Sequence, residues 1–247
     1  MIALATAEAR VILRRRGLVW GTAGAGAVFA LLALVAFAVI HGHDASQPEP
    51  GGARGWEAAA AATLGIATGA AVMGAAVAAG DAASGVLRYV LMTGVGRTRY
   101  YVARLLALLA VVTITAVPSL VIAAAGALLL PHGGPWLDLR DAGNAAWGLL
   151  LNGWVFAIIA AGVGAALQSV GWAVAAALGL EYVGFTALTA IAALSPGLER
   201  ATLPDAIDRL TGGSVATGPL WLAAIVAIAW TAAFAAAGWV RVRRGEF

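Results

Sequence analysis

The 247-residue sequence contains no cysteine and no lysine. Without Cys there is no disulfide framework, no thiolate zinc site, no iron–sulfur cluster and no cysteine nucleophile. Without Lys there is no P-loop, whose GxxxxGK[ST] pattern sets a lysine on the nucleotide phosphates, and no Schiff-base lysine chemistry. Every one of the 15 basic residues is therefore Arg. Charge of either sign is scarce: 11% of the residues are charged, against about 25% in an ordinary soluble domain. Histidine occurs only at positions 41, 43 and 132, and no HExxH is present, which excludes a membrane metalloprotease of that pattern. An intramembrane serine protease needs a His beside its Ser, and a phospholipid transferase needs clustered acids on one face; neither is found. The expectation is that this chain has no catalytic activity of its own.

Apolar residues are abundant, at 62% of the chain, and the mean hydropathy is +0.91. They are gathered into runs longer than about 18 residues, the length that separates membrane spans from buried core helices. A soluble enzyme, a coiled coil and a disordered chain are thereby excluded. Six runs are found, over 17–40, 58–79, 105–130, 145–167, 171–194 and 219–240. About 20 residues at 1.5 Å rise cross about 30 Å of hydrocarbon. Backbone in hydrocarbon must satisfy its own hydrogen bonds, so each run is expected as a helix. The fold expected is an all-α membrane protein forming one transmembrane domain over 1–247. The first run is too long for a cleaved signal peptide, whose apolar core spans about 7–15 residues. Pro118 falls inside the third run and is expected to kink it.

Orientation follows from arginine. Ends and loops on one side carry Arg10, Arg14, Arg15, Arg16, Arg88, Arg97, Arg99, Arg104, Arg241, Arg243 and Arg244. The other side carries Arg54, Arg140, Arg200 and Arg209 together with most of the acids. The Arg-rich side is expected to be cytoplasmic, with both termini there. The net charge of +3 is thus a topology signal, and no nucleic-acid partner is read from it. Trp56, Trp136, Trp147, Trp221 and Trp239 fall near span ends, as interfacial aromatics do.

Outside the spans, three segments carry information. In residues 1–16, Ile2, Ala5, Ala9, Ile12 and Leu13 can share one helical face, with Glu8, Arg10, Arg14 and Arg15 largely off it; such a basic amphipathic helix can lie in the headgroup layer against lipid. Residues 80–104 form a long connection between spans two and three. Val86, Leu87, Val90 and Leu91 there mark a short helix with an apolar face, and Gly94 and Gly96 break it. Two readings stand for that helix: a docking element for a protein partner, or an interfacial helix resting on lipid. Between spans five and six, Thr202-Leu203-Pro204-Asp205 can start a short helix with Ala206, Ile207 and Leu210 as its apolar side.

The 80–104 connection resembles the signature of the ABC-2 type ATP-binding-cassette permeases, in which an acid precedes Gly-Thr-Leu-Glu, paired leucines, a Pro-Val-Ser-Arg turn and a later basic residue. Asp81 matches the acid. Gly85-Val86-Leu87 matches Gly-Thr-Leu, with Arg88 in place of the Glu. Val90-Leu91 matches the paired leucines, Gly94-Val95-Gly96-Arg97 the turn, and Arg104 the basic residue that opens the third span. The six-span plan is similar too. This resemblance implies a bacterial cytoplasmic-membrane, multi-pass permease subunit that exports a hydrophobic compound, drug or antibiotic peptide. Asp81, Gly85, Leu87, Arg88, Val90, Leu91, Gly94 and Arg97 would form a coupling helix and turn seated on a separate ATPase subunit. Gln168, in the turn Gln168-Ser169-Val170, would make a second, smaller contact. The resemblance also implies a second permease subunit, identical or homologous, and an N-terminal interfacial helix touching the ATPase. ATP and Mg would be bound by that ATPase, with no cofactor in this chain. The segment between spans five and six would form short re-entrant helices capping the export path. The alternative is a non-transport membrane regulator or assembly factor that docks a cytoplasmic partner through the same loop.

Polar residues inside spans complete the reading. Glu181 lies near the middle of the fifth span, where a carboxylate costs about 2.5–3.5 kcal/mol on insertion scales and so faces protein or water. It either lines a substrate path or subunit interface, or hydrogen-bonds a neighbouring helix. Asn152 is a milder candidate for the same path, and an interhelical hydrogen bond explains it as well. His41, His43 and Asp44 lie together outside the first span but lack an obvious fourth ligand, so no metal site is assigned. Gly65 and Gly69 in the second span, and Gly21, Gly24 and Gly26 in the first, permit close helix approach.

Overall fold

The computed structural model describes residues 1–85, 92–133, 139–212 and 219–244, and among them it is helical with no strand. Helix α1 spans Ile2–Arg14, α2 Arg16–His43, α3 Ala53–Ala83, α4 Arg97–Leu129 and α5 Leu139–Leu167. Helix α6 (Val170–Gly179) continues through a π-helical turn, Leu180–Gly184, into α7 (Phe185–Ala192). Two short helices, α8 (Pro196–Glu199) and α9 (Leu203–Leu210), precede α10 (Leu220–Arg244).

Six of these helical segments are long and apolar enough to cross a membrane: Arg16–His43, Ala53–Asp81, Arg97–Leu129, Leu139–Leu167, Val170–Ala192 and Leu220–Arg244. They correspond one to one with the six apolar runs. Several overrun those runs at a polar end, because the helical hydrogen-bond ladder carries on through residues such as Arg97 to Arg104 after hydropathy has fallen. Helix α4 also runs unbroken through Pro118.

Helix α3 is the hub, packing on α2, α4, α5 and α6. Its buried surface is built of small side chains, among them Ala62, Ala70, Ala75 and Ala79. Small residues let helix axes come close where no hydrophobic effect drives association. A Cβ on Gly164 of α5 would stand 2.6 Å from the Ala75 carbonyl oxygen, and one on Gly65 of α3 would stand 2.6 Å from that of Ala25. On α2 the expectation is only partly met. A Cβ on Gly26 would meet Ser119 Oγ at 2.5 Å, whereas Gly21 and Gly24 face open space. The outer surface is apolar: Val35, Val121, Trp172 and Ile228 are all exposed, a placement that suits hydrocarbon rather than water.

Helix α1 packs on α4 with Ile12 fully buried beside Met73, Val77 and Leu108. Glu8, expected off the apolar face, is buried one turn before Ile12, and Ile2 is exposed instead. A charged side chain takes the inward position because a cation on α4 waits for it.

Candidate functional site

Two constellations occupy opposite ends of the bundle. The first sits where α1, α2, α3 and α4 meet at the Arg-rich end. Arg104 of α4 is buried and ion-paired with both Glu8 of α1 and Asp81 of α3. Asp81 also accepts from Arg15 Nη2 at 2.9 Å and from the Tyr100 hydroxyl at 2.6 Å. Arg104 Nη2 donates to the Val77 carbonyl at 3.3 Å, and its guanidinium lies 5.8 Å from the Tyr100 ring centroid. Two carboxylates balance two guanidiniums, which is the condition under which buried ions are tolerated. The cluster therefore clamps the amino-terminal helix to the two helix ends that flank residues 84–96.

Around that clamp lie the residues singled out in the sequence. Gly85 and Gly94 have φ of +72° and +85°, the left-handed region that glycine adopts freely. They bracket the segment in which a short helix is expected. Leu87, Arg88, Val90 and Leu91 lie outside the described residues. Arg97 opens α4, and its Nη1 donates to the Arg243 carbonyl at 2.7 Å, fastening the start of α4 to the end of α10. Gln168 has a φ of +56° between α5 and α6 and accepts from Arg241 Nη2 at 3.4 Å.

The second constellation is a cavity of about 860 Å³ bounded by α3, α5, the α6–α7 segment and α9. Glu181 and Asn152 both line it. Glu181 belongs to the π-helical turn, a local widening often found at functional sites. Thr68 Oγ1 donates to Glu181 Oε1 at 3.0 Å, and Thr68 Oγ1 lies 2.5 Å from the Tyr182 hydroxyl. A threonine hydroxyl has one proton, so Tyr182 donates to Thr68 and Thr68 to Glu181. Asn152 Nδ2 donates to the Gly148 carbonyl at 2.9 Å within its own helix, which leaves its carbonyl oxygen available to other partners.

At the end of the cavity away from the charge cluster, the short helix α9 forms where expected. Thr202 is its N-cap, with Oγ1 accepting from the Asp205 amide at 3.4 Å. Ala206 and Ile207 are buried, as is Leu203. Trp147 Nε1 donates to the Leu210 carbonyl at 2.8 Å and Trp230 Nε1 to that of Ala201 at 3.1 Å, pinning this layer to α5 and α10. His41 Nδ1 lies 2.8 Å from the Gln47 carbonyl and His43 Nδ1 3.1 Å from that of Val39, so each imidazole has a local backbone contact. Among the described residues, no group of three or more His, Cys, Asp or Glu is placed to hold a metal.

Sequence reasoning missed Glu8, Arg15 and Tyr100 as members of the clamp, and Thr68 and Tyr182 as neighbours of Glu181. A buried-charge rule applied to Asp81 and Arg104 signals that partners exist but not which ones. No protein-family model matches the chain, and no curated protein is similar to it.

Proposed function

We propose that the chain is the transmembrane permease subunit of an ABC-2 type transporter. It forms the translocation path for export of a hydrophobic compound, drug or antibiotic peptide across a bacterial cytoplasmic membrane. ATP is hydrolysed by a separate nucleotide-binding subunit, and a second permease chain completes the path. The observation that carries this reading is the buried cluster of Glu8, Asp81, Arg104, Arg15 and Tyr100. It ties α1 rigidly to the roots of the 84–96 segment, the arrangement that a partner's push needs if it is to reach the membrane helices instead of being lost in a loose loop. The six spans and the cavity rising from Glu181 support the same reading.

Mechanically, the partner ATPase seats on the segment that includes Leu87 and Leu91, where the sequence leads to the expectation of a short helix. Movement of that segment acts on α3 through Asp81 and on α4 through Arg104. Because α3 is also the inner wall of the cavity, its displacement changes access to Glu181. The test is a pull-down of the chain from native membranes in mild detergent, with ATPase activity and mass spectrometry of the eluate. A stoichiometric ATPase subunit that is lost in Leu87→Asp/Leu91→Asp supports the proposal. An eluate with neither ATPase nor activity overturns it and leaves the loop as a lipid-lying helix.

A further inference from the structure

The large cavity has a chemical bias that the permease reading does not supply. Among the described residues, four carboxylates line it, Glu57, Asp141 and Asp208 toward the mouth and Glu181 at depth, and no Arg or His is among its lining residues. Glu181 is the midpoint of the span Val170–Ala192, eleven residues from each end, or about 16 Å of helix. Its Oε2 is buried and has no hydrogen-bond partner among the described residues, whereas Oε1 is held by Thr68. Glu57 has an ion pair of 3.8 Å with Arg54, which partly offsets its charge, so the weight of the argument falls on Glu181. Trp56, Phe156, Tyr182 and Phe185 add aromatic walls, and aromatic faces attract organic cations. A volume of about 860 Å³ lies in the range that encloses a drug-sized ligand.

The geometry points to a binding site for a lipophilic organic cation, with the positive centre at Glu181 and the apolar body against Phe156 and Phe185. The three outer acids raise the local concentration of cations at the mouth, as a cleft of one charge sign does. Anions of the same shape find no cationic partner among the described residues that line the cavity. Cargo class is thus narrowed from any hydrophobic compound to a cationic one. The inference rests on the permease reading for its biological purpose, but binding is read on this chain alone, so the two fail separately: absence of an ATPase partner leaves the cation site intact, and absence of cation binding leaves the partnership intact.

The experiment is equilibrium dialysis of radiolabelled tetraphenylphosphonium against the full chain in lipid nanodiscs, with empty nanodiscs as the blank and tetraphenylborate as the anionic counterpart of equal shape. Saturable binding of the cation above the blank is expected, with tetraphenylborate showing none. Glu181→Gln is expected to weaken cation binding at least about tenfold, since it removes the charge from a low-dielectric site. Glu199→Gln, outside the cavity lining, is expected to leave it unchanged. Should Glu181→Gln fail to fold, the double change Glu57→Gln/Asp208→Asn at the mouth is read instead, and a loss of about threefold or more that shrinks with added salt is expected. Equal saturable binding of the anion, cation uptake no greater than the blank, or variants in the lining that bind as the parent does would each overturn the proposal.

Discussion

The Tyr100 hydroxyl donates to Asp81 Oδ2 at 2.6 Å, joining the first turn of α4 to the last turns of α3. This bond sits inside a buried group of charges that also takes in Glu8, Arg15 and Arg104. It makes the two helix ends that flank the 84–96 segment, together with α1, a single mechanical unit.

Removal of Arg104 tests that unit most directly. Arg104→Leu leaves Glu8 and Asp81 as buried carboxylates without their shared cation, and breaking one side of a buried ion cluster costs about 3–5 kcal/mol. The triple change Arg104→Leu/Glu8→Gln/Asp81→Asn removes the uncompensated charges and is expected to be more stable than the single variant. Thermal unfolding in detergent, followed by circular dichroism, compares the two. A single variant as stable as the parent contradicts the clamp.

Close helix approach yields a second expectation. Gly164→Ala places a methyl group 2.6 Å from the Ala75 carbonyl oxygen, which overpacks the α3–α5 contact at a cost of about 1–3 kcal/mol. Gly21→Ala faces open space and is expected to be neutral or slightly stabilising, because Ala is the better helix former. Fluorescence-detected size exclusion after graded heating separates them, and equal midpoints for both variants would count against the packing described.

The capping residue of α9 can be tested alone. Thr202→Ala removes the oxygen that accepts from the Asp205 amide, a loss of about 0.5–2 kcal/mol, while Thr202→Ser keeps it. Hydrogen exchange over Leu203 to Leu210 is expected to quicken in the first and stay near parental rates in the second. Similar protection in both would show that the buried Leu203, Ala206 and Ile207 hold the helix without its cap.

Topology is open to a background-free test, since the chain has no native cysteine. Arg14→Cys and Gly94→Cys are expected to react with a membrane-impermeant maleimide only after the membrane is opened. Ser46→Cys and Arg200→Cys are expected to react in intact cells. The reverse pattern would invert the orientation read from arginine, and labelling of 14 and 46 from one side would remove the first span.

What could be read from the sequence alone was whatever depends on local sums. A span needs only about 20 consecutive apolar residues, so six helices were foreseeable without knowing which touches which. The same holds for α9, whose cap, proline and apolar stripe lie within nine residues, Thr202 to Leu210. Pairings between distant helices were not foreseeable. Glu8 meets Arg104 and Thr68 meets Glu181 across separate helices, and such meetings depend on how each helix is rotated about its axis when it packs. Hydropathy carries no record of rotation about a helix axis. For that reason the membrane character of the chain was decided by its sequence, while the charge clamp at one end and the acid-lined cavity at the other were decided by tertiary packing.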